Sequence, residues 1–254
     1  MVYRVSDEDI QAQQREFKKN YPPFVPFKLT ALEKKLLAEK FSSVLTTQNG
    51  MDTDDYCIAD GNKIETFLAD LPKGSRVLIL GTGTGREILV AKEMGFDAVG
   101  TTLGSRNVYF GHRMLGLTED ELVECANEVL PFEDNTFDAI VGFQVFEHAM
   151  NPFLFLLEVR RVLKYSGLLM FEWPPAEDYH MGSNPHHQIC YCPGQAESLF
   201  DKAGFENMHL FYSNMENIPE DQIWSARNHG HMLCITGLKS RHEQPFMQMF
   251  LGVG

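Results

Sequence analysis

The stretch Arg76 to Gly85, RVLILGTGTG, limits the possible folds more than any other part of the chain. An unbroken apolar run from Val77 to Leu80, with Gly74 before it and Gly81 after it, suits a strand covered on both faces, as in a parallel sheet. Glycines 81, 83 and 85 follow at once, and REILVAKEMG then places Ile88, Leu89 and Ala91 at helical spacing with Gly95 as a stop. The unit is strand, tight turn, helix. It recurs along the chain: a second strand in FDAVGTT, a helix around 106–115, a weak strand near 122–125, and the strand FDAIVGF. A helix over 152–163, the turn Lys164-Tyr-Ser-Gly167 and the strand LLMFEW come next. A helix over 194–203 and two closing strands, roughly 209–212 and 231–237, complete the reading. Strands alternating with helices at this spacing demand right-handed crossovers, and so a doubly wound α/β sheet.

The flanks differ in character. Pro22, Pro23 and Pro26 favour an extended N-terminal arm, expected to serve as a lid or an oligomer contact. From Thr30, the residues Leu32, Leu36, Leu37 and Phe41 fall at helical spacing, and a further helix is expected over 54–69. This divides the chain into an N-terminal arm and helical cover (1–54), a Rossmann-like domain (55–240) and a tail (241–254). Between Trp173 and the penultimate helix lies PPAEDYHMGSNPHHQICYCPG, a long loop of the kind that carries function in compact domains.

Charge narrows the partners. The 22 Lys and Arg against 35 Asp and Glu give a net −13, which counts against nucleic-acid backbones and anionic membrane surfaces. No apolar run approaches the ~20 residues that span a bilayer. The five cysteines are scattered, and MVYRVSDEDI is not a secretory leader, so a cytoplasmic protein with reduced thiols is expected.

The glycine spacing restricts the ligand. A dinucleotide loop needs G-x-G-x-x-G, but the position of its third glycine holds Arg86; a P-loop needs a Lys that is missing. G-x-G-x-G suits a nucleoside with a short charged tail, with a ligand-free tight turn as the plain alternative.

Further segments make the pattern specific. RVLILGTGTG, AVGTTLGS, VLPFEDNTFDAIVGFQVFEHAMNP and EVRRVLKYSGLL, with HHQICYCPGQAESLFDKAGF later, resemble the class I S-adenosylmethionine-dependent methyltransferases, in their small-molecule branch with the type 11 domain. The resemblance covers roughly residues 55–240. It implies a seven-stranded, mostly parallel sheet of order 3-2-1-4-5-7-6 with the last strand antiparallel. It also implies S-adenosylmethionine across the carboxyl ends of strands 1 to 4. Carried onto this chain, Gly81, Thr82, Gly83 and Gly85 would meet the methionine tail and helix start. Thr101 and Thr102 would lie at the ribose, Asn127 and Glu128 at the adenine edge beside Ala126, and Phe143 and Gln144 beside the transferable methyl. Three usual acids are replaced, by Ile79, Thr102 and Ala126. Charge-assisted hydrogen bonds contribute roughly 1.5–3 kcal/mol each, so losing the ribose carboxylate alone would weaken the cofactor by about one to two orders of magnitude.

The activity so implied is methyl transfer to a small-molecule O, N or C acceptor; the alternative is a methyltransferase fold kept as a binding or regulatory module. Glu147 and His148, directly after strand 4, are the candidate catalytic residues, with Glu172 and His186 as further bases. A helix-start acid and a structural histidine are their plain reading. His180, His186, His187, Cys190 and Cys192 cluster in sequence, but adjacent His-His and C-x-C match no structural zinc spacing, so no metal is expected. Trp173, Tyr179, Tyr191 and Trp224 are candidates for an acceptor pocket or for ordinary packing. Arg160 and Arg161 are expected to face solvent.

Overall fold

The computed structural model describes residues 61–175, 187–189, 191–224 and 232–241. The proline-rich arm, the helix after Thr30, the start of the helix expected over 54–69, His180, His186, Cys190 and the tail after 241 lie outside the described residues.

Seven strands form one sheet in the order β3-β2-β1-β4-β5-β7-β6, as the resemblance implies. They are β1 (Arg76–Leu80), β2 (Asp97–Thr102), β3 (Leu122–Glu124), β4 (Phe137–Phe143), β5 (Leu163–Trp173), β6 (Phe205–Tyr212) and β7 (Leu233–Lys239). The pairs from β3 through to β5 are parallel, and β7 runs antiparallel to both β5 and β6. The helices are α1 (Gly61–Phe67), α2 (Arg86–Glu93), α3 (Ser105–Met114), α4 (Pro152–Val162) and α5 (Pro193–Lys202).

Alternate strand residues face opposite layers, which explains why RVLIL is apolar throughout. Leu78 and Leu80 join one core with Phe137, Phe155, Phe171 and Trp173, while Val77 and Ile79 join the other with Ile64, Leu68, Ile88 and Met170. Ile79 is 1% exposed in that second core. The position where the resemblance leads one to look for an acid is therefore occupied by packing beneath α1 and α2. In the first core Phe146 is the hub, stacked on Tyr191 at 4.9 Å and edge-on to Phe200 at 5.3 Å.

Two readings need correction. Lys164-Tyr-Ser-Gly167, expected as a turn before its strand, lies inside β5 as an irregular bulge. Between matched pairs β4 advances from Phe137 to Ala139 while β5 advances from Leu163 to Leu168. Ser166 takes a left-handed φ of 60°, and a Cβ on Gly167 would come within 2.8 Å of the Lys164 carbonyl oxygen. The Lys164 ammonium donates to Asp138 across the bulge at 2.7 Å.

Arg161 does not simply face solvent. Its Nε and Nη2 donate to the two oxygens of Glu158 at 2.8 and 2.9 Å, and Nη2 also donates to the Leu130 carbonyl at 2.9 Å. Its Nη1 donates to the Phe132 carbonyl at 2.7 Å and to Asp134 at 2.9 Å. Glu158 closes the knot by accepting the Leu130 amide at 2.9 Å. Thus the segments LPFED and EVRRV, distant in sequence, are clasped together.

Of the two readings of Trp173 and Tyr191, ordinary packing is the one their burial supports. Both are buried, the indole donating to the Tyr191 carbonyl at 3.1 Å, whereas Trp224 is exposed over Gly194.

Candidate functional site

The glycine turn leaves the carboxyl end of β1 with Gly81, Gly83 and Gly85 all at positive φ (68°, 57° and 92°), where a side chain would be strained. Gly81 has a second reason to be glycine, since a Cβ there would meet Val145 Cγ2 at 2.7 Å. The turn is tied to β2: the Thr82 amide donates to the Thr101 carbonyl at 2.9 Å and the Gly81 amide to Thr101 Oγ1 at 3.4 Å. It opens α2, whose N-terminus carries the positive end of the helix dipole.

Thr82 Oγ1 donates to Glu87 Oε2 at 2.6 Å, which brings a carboxylate onto the loop from the first turn of α2. Burial raises the Glu87 pKa, partly offset by that hydrogen bond. Sequence reasoning missed this residue because it sought the acid before the glycines. An acid in the first turn after the last glycine was the available signal.

At the ends of β2 and β3, Thr101 Oγ1 donates to Asn127 Oδ1 at 2.8 Å, with both residues buried. Asn127 thereby keeps one oxygen lone pair and its amide hydrogens for other partners. Thr102 Oγ1 accepts from Asn107 Nδ2 at 3.4 Å, so a hydroxyl and an amide stand where a carboxylate is usual. Glu128 has a different setting: its Oε1 accepts the Met150 amide at 2.8 Å and the Asn151 amide at 3.5 Å, bracing the entry to α4. Asn151 caps that helix by accepting from the Leu154 amide at 3.0 Å, with Pro152 in the first position.

Phe143 ends β4 half-buried, and Gln144 follows at a left-handed φ of 52°. That conformation costs a non-glycine residue and persists only where surroundings impose it. Here Glu172, at the end of β5, imposes it. The Gln144 amide donates to the Glu172 carbonyl at 2.9 Å, and Gln144 Nε2 to Glu172 Oε1 at 3.2 Å.

The next turn, Phe146–His148, is a short 3-10 helix. Glu147 is 1% exposed, and neither carboxyl oxygen has a hydrogen-bond partner among the described residues. Burial, with the negative charge of Glu172 adding to it, pushes its pKa up to about 8, so near neutrality it is a protonated acid. His148 is half-buried, and its ring meets that of His187 edge-on at 4.8 Å between centroids. His187 is brought there because the Gln188 and Ile189 amides donate to the Glu147 carbonyl at 2.8 and 3.4 Å.

The carboxyl ends of β1, β2 and β4 thus gather Gly81, Thr82, Gly83, Thr101, Thr102, Asn127, Phe143 and Gln144 at one rim of the sheet. This is where ligands bind open α/β sheets. Glu147 and His148 stand beyond the β4 end of that rim, and Gly85 sits beneath it against Leu117 and Leu122.

Residues 78–171 match the family described as methyltransferase domain. Among curated proteins, a ubiquinone biosynthesis O-methyltransferase of Roseobacter denitrificans is 33% identical over 99 residues, covering 38% of this chain and 40% of that protein. A sterol 24-C-methyltransferase of Schizosaccharomyces pombe is 33% identical over 127 residues, 46% of this chain and 33% of its own length. The chain therefore spans well under half the length of these relatives. Among solved structures, a phosphoethanolamine N-methyltransferase of Haemonchus contortus, in complex with phosphomonomethylethanolamine and S-adenosylhomocysteine, superposes with a TM-score of 0.62. It is 14% identical, over 79% of this chain and 60% of that one, a likeness of fold. Residues 78–171 thus carry the methyltransferase-domain match, on a sheet with the strand order that resemblance to the class I S-adenosylmethionine-dependent methyltransferases implies.

Proposed function

We propose that this protein transfers the methyl group of S-adenosylmethionine to an O, N or C atom of a small molecule. The observation that carries this is the rim described above: a glycine turn without room for side chains, followed around the sheet edge by hydrogen-bonding groups on Thr101, Thr102, Asn127 and Gln144. These groups fit the cofactor with neutral donors and acceptors in place of the usual carboxylates. Glu87, held by Thr82 beside the turn, supplies the acid that position 79 lacks, and we assign it to the ammonium of the methionine tail. Gly81 and Gly83 admit that tail. Thr102 with Asn107 replaces the ribose carboxylate, and the free capacity of Asn127 serves the adenine edge. The cofactor brings the sulfonium methyl.

The chain's own residues align, desolvate and manage a proton. The Gln144–Glu172 pairing fixes the end of β4 where the acceptor would lie. Glu147, protonated near neutrality, is suited to donating a hydrogen bond, which leaves the His148 imidazole as the group able to accept a proton from an acceptor hydroxyl or ammonium.

Curated relatives are named as an O-methyltransferase of ubiquinone biosynthesis and a sterol 24-C-methyltransferase, which supports a small-molecule acceptor. Among the described residues no helix is long and apolar enough to cross a membrane. Cys125, Cys192 and Cys234 are buried and unbridged, in keeping with our assignment to the cytoplasm. We keep nucleic acid outside the partners on the charge argument, and self-association through the proline-rich arm remains a proposal from sequence.

Calorimetry with S-adenosylhomocysteine tests this reading. Binding should be stoichiometric and should vanish in Gly83→Val while circular dichroism shows the fold intact. An absence of binding at millimolar ligand would favour the second reading, a module without cofactor, for which Ile79, Thr102 and Ala126 speak.

A further inference from the structure

Among the described residues, Glu147 is the only buried side chain with polar atoms that lack any hydrogen-bond partner. Burying a carboxyl group in this state is costly, and proteins rarely retain one without a use. What it faces suggests that use. A carboxyl oxygen of Glu147 and ring nitrogens of His148 and His187 lie within 4.8 Å of one another. Two segments far apart in sequence meet to make this trio, and they are locked by the Gln188 and Ile189 amides on the Glu147 carbonyl.

We propose that Glu147, His148 and His187 form a binding site for one divalent first-row transition-metal cation. Two imidazoles and one carboxylate are the donor set such cations favour, with Zn²⁺ and Fe²⁺ foremost; calcium and magnesium prefer all-oxygen sets. Metal–ligand bonds of about 2.1 Å in a tetrahedral arrangement put donors about 3.4 Å apart, so modest rotation of half-buried imidazoles closes the distance. Sequence spacing argued against a metal because it weighed only the residues from His180 to Cys192; the fold instead pairs one member of that loop with the turn after β4. Three protein ligands leave positions open to water. They could also hold an oxygen of the methyl acceptor, and that clause alone rests on the methyl-transfer reading. With a cation in place, Glu147 gives up its proton to ligate as a carboxylate and His148 ligates through its imidazole, so neither then plays the proton role proposed for the metal-free site.

The test uses the full-length protein, stripped by a chelator and titrated with Zn²⁺ by calorimetry and with Co²⁺ by absorbance, without any cofactor. One equivalent should bind with a Kd of about 10 µM or tighter, and the Co²⁺ spectrum should carry the visible bands of four- or five-coordinate nitrogen and oxygen ligation. His187→Ala and Glu147→Gln should each weaken binding by roughly 100-fold, while melting of the stripped variants shows them folded. If neither folds, Co²⁺ added to the wild type should shift the His148 and His187 ring resonances. The proposal is overturned if the wild type binds neither cation stoichiometrically, if both variants bind as before, or if those resonances stay in place. Because no cofactor is present, failure here leaves the S-adenosylhomocysteine experiment untouched, and the reverse also holds.

Discussion

Arg161 invites the most quantitative test of how this fold is held. All five of its N–H groups are engaged, on Glu158, Leu130, Phe132 and Asp134. A lysine keeps the charge but offers three donors from a single point, so Arg161→Lys can retain the Glu158 pairing and must surrender most of the rest. The contact with Asp134 counts for almost nothing, because Asp134 is 69% exposed and water screens it. The two carbonyls matter more. Each bond from a charged donor to a buried or half-buried carbonyl contributes about 1.5 kcal/mol, so the expected loss for Arg161→Lys is about 3 kcal/mol. Arg161→Ala should lose about 4 kcal/mol, since Glu158 then keeps only the Leu130 amide. Urea unfolding at pH 7 followed by circular dichroism reads this directly: with an m-value of about 3 kcal/mol/M, the lysine variant should unfold about 1 M earlier. A shift under about 0.3 M in both variants would show that the clasp is an ornament of the surface and refute the reasoning.

Three further outcomes follow from the geometry. Gly111→Ala gains up to about 1 kcal/mol of helix propensity, yet its Cβ would sit 2.6 Å from the Thr84 carbonyl oxygen and against Leu122, an overpacking cost of about 1–3 kcal/mol. The variant should therefore melt lower and bind S-adenosylhomocysteine more weakly; a higher melting temperature would sink this account. Thr101→Val removes the donor to Asn127 and the acceptor for the Gly81 amide, and calorimetry should find affinity for S-adenosylhomocysteine down about fivefold, for a loss of about 1 kcal/mol. Unchanged affinity would remove Thr101 from the site.

The third concerns pH. Burial, with the nearby cations Arg160 and Arg161, pushes the Lys239 pKa down to about 8, below the ordinary value of about 10.4. The unfolded chain then binds the extra proton between those values, so this residue makes stability rise with pH across that window, by at most about 3 kcal/mol. Relative to Lys239→Met, the wild type should gain stability from pH 8 to pH 10; parallel urea curves for the two proteins would contradict it.

Local rules carried the strands well because they depend on residues adjacent in sequence. RVLIL and FDAIVGF occupy the strands their apolar runs announce, and the glycines at 81, 83 and 85 take the positive φ their loop requires. Gly167 was legible as a punctuating residue but not as part of a bulge, because the atoms that exclude a Cβ there include the Asp138 carbonyl on another strand. Arg161 was misread for a related reason: a helix position gives the direction of a side chain, not the carbonyls of a distant loop that meet it. Glu87 and the approach of His187 to Glu147 depend likewise on the fold bringing together segments that the sequence keeps apart.

The backbone at Gln144 has one more consequence. A residue held left-handed by two bonds to Glu172 cannot relax without breaking the rung between β4 and β5. The end of the site where we propose the acceptor to lie is therefore preorganised rather than assembled on binding. Its selectivity would come from a rigid lip.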